Sequence, residues 1–189
     1  MTADDFLLLV IQYFGGEIQG RTLLQKRAFF ASVLSGVDPG LRFDAHYYGP
    51  YSSTVDNTLG RLRALGFVSE DNLGFGVAPS GFEMRRYDYR LTDDGKQIVR
   101  VLESQPEFQA VKSACQRILS AGDPDYFTLS IAAKAFFILR KRDGKGMSRN
   151  EIIGEAKKFD WNITPDSLEK AVSFLEQVSL VRRRNNEEN

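Results

Sequence analysis

Residues 62–68 read Leu-Arg-Ala-Leu-Gly-Phe-Val, and residues 89–95 read Tyr-Arg-Leu-Thr-Asp-Asp-Gly. The first stretch is typical of an amphipathic helix that ends at a glycine and continues into a strand. The second stretch is typical of a strand that turns into a helix with Thr92 or Asp93 as its N-cap. Together the two stretches frame a hairpin that lies between two helices.

The residues before residue 62 predict two more helices and the start of a third. Apolar spacing followed by Gly15-Gly16 predicts a first helix that ends before the glycines. A second helix is expected to begin near Thr22, with that residue as its N-cap. Gly49-Pro50 forces a turn, and a third helix is expected from about Ser52 to Leu65. This order predicts a mainly α-helical chain whose residues 1–104 form a winged helix-turn-helix, with three helices and a two-stranded wing.

Three further expectations complete the N-terminal part. The aromatic character of residues 43–48 favours a short extended segment before the Gly-Pro turn. Residues 72–81 are rich in glycine, which predicts the tip of the hairpin. The helix after the hairpin is expected to bury Ile98, Val101 and Leu102.

Residues 105–189 are predicted to form a helical C-terminal domain. Apolar spacing favours a long helix over residues 126–142, and Ser148 and Thr164 are expected to cap two later helices. The last helix leads into a Leu-Val pair and three arginines, a pattern that echoes residues 62–68. We therefore expect either a dimerisation or packing unit, or a second helix-turn-helix without a wing.

The composition excludes several classes of protein. The chain has 189 residues, its 25 Lys and Arg balance 25 Asp and Glu, and 42% of it is hydrophobic. These values exclude collagen-like, low-complexity and disordered chains. The longest apolar run is too short to span a bilayer, and the first residues lack the basic segment of a secretory signal. With Cys115 as the single cysteine, we expect a cytoplasmic protein that has no disulfide and no membrane partner.

No arrangement of residues predicts an enzyme. His46 lies beside Tyr47 and Tyr48, where a structural, hydrogen-bonded role is expected. Cys115 lies on an apolar helix stripe. The pair Asp93-Asp94 lacks partners at metal-ligand spacing. The glycines of residues 74–81 lack the strand-to-helix context and the lysine of a phosphate-binding loop. We therefore expect no catalysis, no cofactor and no metal.

The outward face of the predicted third helix suits contact with DNA. Hydrogen-bonding and cationic side chains on such a face reach base edges in the major groove, and wing arginines hold the flanking backbone. Asp56 would repel phosphate, and Asp88 on the wing is an alternative partner for the arginines beside it. The predicted DNA-contacting residues are Ser52, Ser53, Thr54, Asn57, Thr58, Arg61, Arg63, Arg85, Arg86 and Arg90.

A second group of polar residues is expected to converge around the Gly-Pro turn. These residues come from the second helix and from both sides of the turn. They predict either a pocket for a protein partner or small ligand, or an internal hydrogen-bond network that fixes the second helix against the turn. The residues are Gln25, Lys26, His46, Tyr48 and Tyr51.

Part of this region resembles a known family. Residues 20–26 read Gly-Arg-Thr-Leu-Leu-Gln-Lys, and residues 43–52 read Phe-Asp-Ala-His-Tyr-Tyr-Gly-Pro-Tyr-Ser. These stretches resemble the YwgA-type proteins of bacteria and archaea. More distantly they are similar to the Panacea (SocA-like) antitoxin domain, through Leu-Gln-Lys on the second helix and Gly-Pro before the third. The resemblance covers roughly residues 3–104 and implies a mostly helical, winged-helix-like fold.

These observations lead to two hypotheses about function. The first is a transcriptional regulator that binds double-stranded DNA as a homodimer, although the same basic residues also suit RNA. The second is a non-catalytic protein-interaction module, similar to an antitoxin or an adaptor. The second hypothesis predicts an exposed apolar patch on residues 43–48 or on residues 75–82.

Overall fold

The computed structural model describes residues 1–77, 83–142 and 146–183. Their elements confirm a mainly helical chain. They also form a small three-stranded antiparallel sheet, whereas only two strands were predicted. In chain order the elements are α1 (Ala3–Tyr13), β1 (Glu17–Gln19), α2 (Arg21–Ser35), α3 (Ser53–Ala64), β2 (Val68–Val77), β3 (Glu83–Leu91), α4 (Asp93–Glu103), a 3-10 helix (Pro106–Phe108), α5 (Gln109–Ser120), α6 (Tyr126–Arg140), α7 (Arg149–Lys157) and α8 (Pro165–Gln177).

Side-chain caps account for most helix starts. Thr92, Ser148 and Thr164 each accept a hydrogen bond from a backbone amide in the first turn of the helix that follows, as their positions predict. The predicted cap Thr22 is wrong, because α2 begins at Arg21 with Gly20 as its N-cap. Gly20 has a φ of +95°, a conformation that glycine adopts without strain, so the chain passes from β1 into α2 with no side-chain cap.

The sheet has the strand order β1-β3-β2. Tyr89 of β3 lies opposite Ile18 of β1 and Glu70 of β2, so β3 is the central strand. β1 has only three residues and was not predicted. β2 continues to Val77, so residues 72–77 of the predicted tip are strand, and residues 78–82 lie outside the described residues.

The hydrophobic core is continuous from the first helix to the last. Residues 6–11 of α1 are all buried. α5 packs against both α1 and α2, and α6 packs against α2. Phe30 of α2 meets Phe174 of α8 edge to face, with ring centroids 5.1 Å apart. Arg27, also on α2, forms an ion pair with Asp123 between α5 and α6 at 2.6 Å. The helices after residue 105 therefore hold α2 in place.

Two local expectations are wrong. In α4, Ile98 and Val101 are exposed, and the buried residues are Gly95, Val99 and Leu102. The rotation of α4 is set by Gly95, whose α-carbon lies against the carbonyl oxygen of Phe67. Residues 43–48 do not form a strand, because they make only one isolated bridge, between Asp44 and Tyr51.

None of the helices within the described ranges is long and apolar enough to cross a membrane.

Replacement of Gly95 by alanine tests how closely α4 packs on the end of α3. A Cβ at this position would collide with the Phe67 carbonyl oxygen, which belongs to backbone and cannot rotate away. We expect Gly95→Ala to lower the free energy of unfolding in urea by about 1–3 kcal/mol.

The matched control is Gly60→Ala in α3, where nothing lies within 4 Å of the added carbon. This substitution is expected to raise the free energy of unfolding by about 0.5–1 kcal/mol, because alanine is the better helix former. Equal effects at the two glycines would contradict the packing described for α4.

Candidate functional site

Two of the side chains predicted to contact DNA are buried. Ser52 is fully buried, and its hydroxyl accepts a hydrogen bond from the Val55 amide as the N-cap of α3. Thr58 is 1% exposed because it lies on the buried side of the helix, one turn from Val55 and Leu62. The outward position expected for Ser52 and Thr58 is therefore wrong.

The remaining polar residues predicted on α3 lie nearer the solvent. Ser53 and Asn57 are exposed and Thr54 is half-buried. This part of the predicted DNA face carries no cation.

The predicted DNA-contacting arginines lie beside carboxylates of the same chain. Arg61 donates to Asp4 at 2.8 Å. Arg63 pairs with Glu70 at 3.0 Å. The positive charge on α3 is therefore balanced locally.

The arginines that were predicted to lie on a wing are on β3, and they are also close to carboxylates. Arg86 donates two hydrogen bonds to Asp88, at 2.7 and 2.8 Å. Arg90 pairs with Glu17 at 3.1 Å and with Asp71 at 3.2 Å. Asp88 is buried beneath its arginine, and Arg85 is exposed at the far end of the strand.

Three residues of the second predicted group, Gln25, Lys26 and Tyr51, form hydrogen bonds around the turn at residues 46–50, which we call the tyrosine turn. The ring of Tyr48, also in that group, is exposed. Lys26 is 1% exposed, and its ammonium donates to the Pro50 carbonyl oxygen at 2.6 Å. Gln25 donates to the Ser52 carbonyl at 2.9 Å and accepts from the Ser52 amide at 3.0 Å. These bonds fix α2 against the turn.

A second layer of hydrogen bonds connects the turn to α3 and the sheet. The Tyr51 hydroxyl donates to Asp56 at 2.9 Å, and Gln25 donates to the other oxygen of the same carboxylate at 2.9 Å. Arg21 lies 3.7 Å from Asp56 and donates to the Tyr89 hydroxyl at 3.2 Å. Asp56 is thus engaged in holding the turn.

Residues from the C-terminal helices close the turn from its other side. The Trp161 indole donates to the His46 carbonyl oxygen at 2.7 Å. Gly49 has a φ of +94°, and a Cβ there would lie only 3.0 Å from Cγ of Lys134. The ammonium of Lys134 lies 5.7 Å from the centroid of the Trp161 ring. Only glycine therefore fits between the turn and α6.

Lys134 and Trp161 were missed from the sequence. They lie more than 80 residues after the turn, so no local pattern places them there. The available signals were a charged residue within the apolar helix α6 and the single tryptophan of the chain. Both residues are buried, at 8% and 2% exposure.

The tyrosine turn displays two aromatic rings on the surface. Tyr47 is 68% exposed and Tyr48 is 57% exposed, and their rings meet edge to face with centroids 4.9 Å apart. The backbone on both sides is held by hydrogen bonds from buried side chains. The site is therefore a rigid loop with an exposed aromatic pair at its tip.

The two lysines behind the turn are held in a medium that disfavours their charge. Burial, followed by the nearby charge of Lys134, lowers the pKa of Lys26 from 10.5 to about 7. Burial also lowers the pKa of Lys134.

The Cys115 thiol is buried in α5. Burial raises the pKa of the Cys115 thiol to about 12, so this thiol is a poor nucleophile. In the described part of the chain no three His, Cys, Asp or Glu residues are grouped as metal ligands. An open cavity of about 340 Å³ adjoins Trp161 and is lined by Ile153, Lys157, Asp160, Asn162 and Ile163.

Comparison with known proteins finds neither a protein-family model nor a curated protein that matches this chain. The similarity to YwgA-type proteins stays a prediction from residues 20–26 and 43–52.

A pH series on Lys26→Met tests the buried ammonium. Between pH 7 and about 10 this lysine binds a proton in the unfolded chain and has lost it in the folded chain. The stability of the wild type relative to Lys26→Met should therefore rise with pH across this window, by at most about 1.4 kcal/mol per pH unit.

Urea denaturation at each pH provides the measurement. Lys170→Met, on the exposed face of α8, is the control and should show no such trend. A difference between wild type and Lys26→Met that stays constant from pH 7 to 10 would show that Lys26 keeps an ordinary pKa.

Proposed function

We propose that the protein is a non-catalytic protein-interaction module that binds a different protein through the tyrosine turn. The exposed pair Tyr47 and Tyr48 carries this proposal. Tyrosine is enriched at interface positions that contribute most of the binding energy, because it buries a large apolar ring and keeps one hydrogen-bonding group.

The rigidity of the turn supports the proposal. Binding costs less free energy when the contacting side chains are already held in one conformation. Lys26, Gln25 and Trp161 hold the backbone on both sides of the two tyrosines.

Neighbouring aromatic residues extend the surface along α6. Tyr126 and Phe127 are 59% and 54% exposed at the start of that helix. Ser130 lies one turn further along α6, and Gly49 packs against its carbonyl oxygen. The exposed rings of α6 therefore lie about one helical turn from the point where the tyrosine turn meets α6. We expect a partner with an apolar groove that receives these rings.

The neutralised arginines also favour a protein partner over nucleic acid. Arg61, Arg63 and Arg90 already bind carboxylates of the chain, so phosphate contacts would have to compete with these ion pairs. A protein partner leaves them undisturbed. A role as an antitoxin-like or adaptor protein in the cytoplasm is consistent with such a surface.

Site-specific crosslinking tests this function. A photoreactive amino acid at position 48 should crosslink one partner from a lysate of the source organism, and the same residue at position 101, which is 62% exposed on α4, should not. The partner is then purified and its Kd measured. Tyr47→Ala/Tyr48→Ala should weaken binding by at least about 2 kcal/mol, roughly 30-fold, and Val101→Ala should leave it unchanged.

Equal crosslinking from positions 48 and 101 would count against the tyrosine turn as the docking surface. So would an unchanged Kd in the double variant.

The order of elements favours a second candidate, a winged helix-turn-helix that binds double-stranded DNA as a homodimer. The sequence of elements from α1 through β3, with β1 added to the β2–β3 hairpin, suits that fold. Ser53, Thr54 and Asn57 would then face the major groove, and the arginines of α3 and β3 would exchange carboxylates for phosphates.

Binding to a DNA duplex at about 50 mM salt tests the second candidate. If it is correct, the wild type binds, and Arg61→Ala/Arg63→Ala binds more weakly and lowers the slope of log K against log salt by about 2. Arg183→Ala removes an exposed arginine paired with Glu169 and Glu176, and serves as the control. Absence of duplex binding by the wild type would exclude this candidate.

A further inference from the structure

Two buried lysines lie together behind the tyrosine turn without a negative partner. Lys26 comes from α2 and Lys134 from α6, and both lie against the Gly49-Pro50 backbone. Asp56, the carboxylate that holds the neighbouring Tyr51, is occupied by Gln25, Tyr51 and Arg21. Neither lysine forms an ion pair with any described residue.

The adjacent residue on α2 shows how unusual this arrangement is in the chain. Arg27 is also buried, but it has the carboxylate of Asp123 at 2.6 Å. A buried charge without such a partner costs folding free energy, and two of the same sign cost more. Burial of Lys26 and Lys134 without a carboxylate partner thus disfavours their charged forms.

The two lysines differ in what their ammonium groups contact. The Lys26 ammonium is bound to the Pro50 carbonyl. In the described part of the chain the Lys134 ammonium donates no hydrogen bond, and it lies 5.7 Å from the centroid of the Trp161 ring. Lys134 also keeps 8% of its surface open to solvent, whereas Lys26 keeps 1%. Lys134 is therefore the lysine whose ammonium N–H groups remain available to a ligand.

We propose that Lys134 binds an Asp or Glu carboxylate that the partner protein inserts beside the tyrosine pair. This proposal rests on the proposed function of the tyrosine turn and names the charge that its partner must carry. An ammonium that donates to a carboxylate in a dry site makes a strong, charge-assisted hydrogen bond. The carboxylate also supplies the negative charge that the chain itself lacks there.

The single donor group at Lys134 favours a carboxylate over a phosphate. Phosphate groups are usually bound by several donors at once, through arginine forks or successive backbone amides. Here one ammonium with a small exposed fraction is available, next to the face of an indole. This geometry suits one side-chain carboxylate that enters between aromatic rings.

Acetate is the probe for the carboxylate, and it requires no partner. The full-length protein is labelled with ¹³C-lysine and titrated with sodium acetate against sodium chloride at constant ionic strength. We expect a saturable shift of the Lys134 ¹³Cε resonance, a smaller one at Lys26 and none at the exposed Lys170. Absence of saturation at Lys134 would overturn the proposal.

Variants and a second anion sharpen the result. Lys134→Gln should weaken acetate binding at least about tenfold, because the charged donor is lost, and Lys170→Gln should leave it unchanged. Inorganic phosphate, titrated in the same way, should bind more weakly than acetate. Preferential binding of phosphate, or equal acetate binding by Lys134→Gln, would contradict a carboxylate site at Lys134.

The acetate measurement tests the anion site, and the crosslinking experiment tests the docking surface, so either claim can be wrong without the other. If acetate binds at Lys134 and the tyrosines capture no partner, the anion site stands and the docking surface is wrong. If the tyrosines bind a partner and acetate does not bind, the carboxylate assignment is wrong and the docking surface stands.

Discussion

The hydrogen bond from the buried ammonium of Lys26 to the Pro50 carbonyl oxygen is the interaction on which the candidate site depends. It joins α2 to the segment that leads into α3. Because no solvent competes with it, breaking the bond would leave a buried charge and a buried carbonyl unsatisfied. Lys26, at 1% exposure, thus fixes the conformation of this one turn.

Charged residues on the surface and in the interior differ in whether they have a partner of opposite charge. On the surface, Arg61, Arg63 and Arg90 are matched by carboxylates, in keeping with the zero net charge of the chain. In the interior, Lys26 and Lys134 are unmatched. Surface pairs of this kind contribute little to stability, whereas an unmatched buried pair of lysines lowers the free energy of unfolding. The tyrosine turn is the element that both lysines touch.

Local sequence patterns predicted the helices. The predictions that were wrong concern contacts between residues that are far apart in the sequence. Thr92, Ser148 and Thr164 were predicted as caps because a cap acts within one turn. The buried side of α4 was misplaced because the contact of Gly95 with Phe67 sets it. Gln25 and Lys26 were predicted to meet the turn, but Lys134 and Trp161 approach it from the far end of the chain. Such tertiary contacts leave no periodic signal in the sequence.

Binding through the tyrosine turn requires that Tyr47 and Tyr48 lie on a rigid turn. Backbone ¹⁵N relaxation measures the rigidity of these two residues directly. We predict order parameters of about 0.85 for both amides, equal to those of α2 and α3. We also predict a fall for the same two amides in Trp161→Phe, which lacks the indole donor to His46. Order parameters below about 0.6 at Tyr47 and Tyr48 in the wild type would contradict the account.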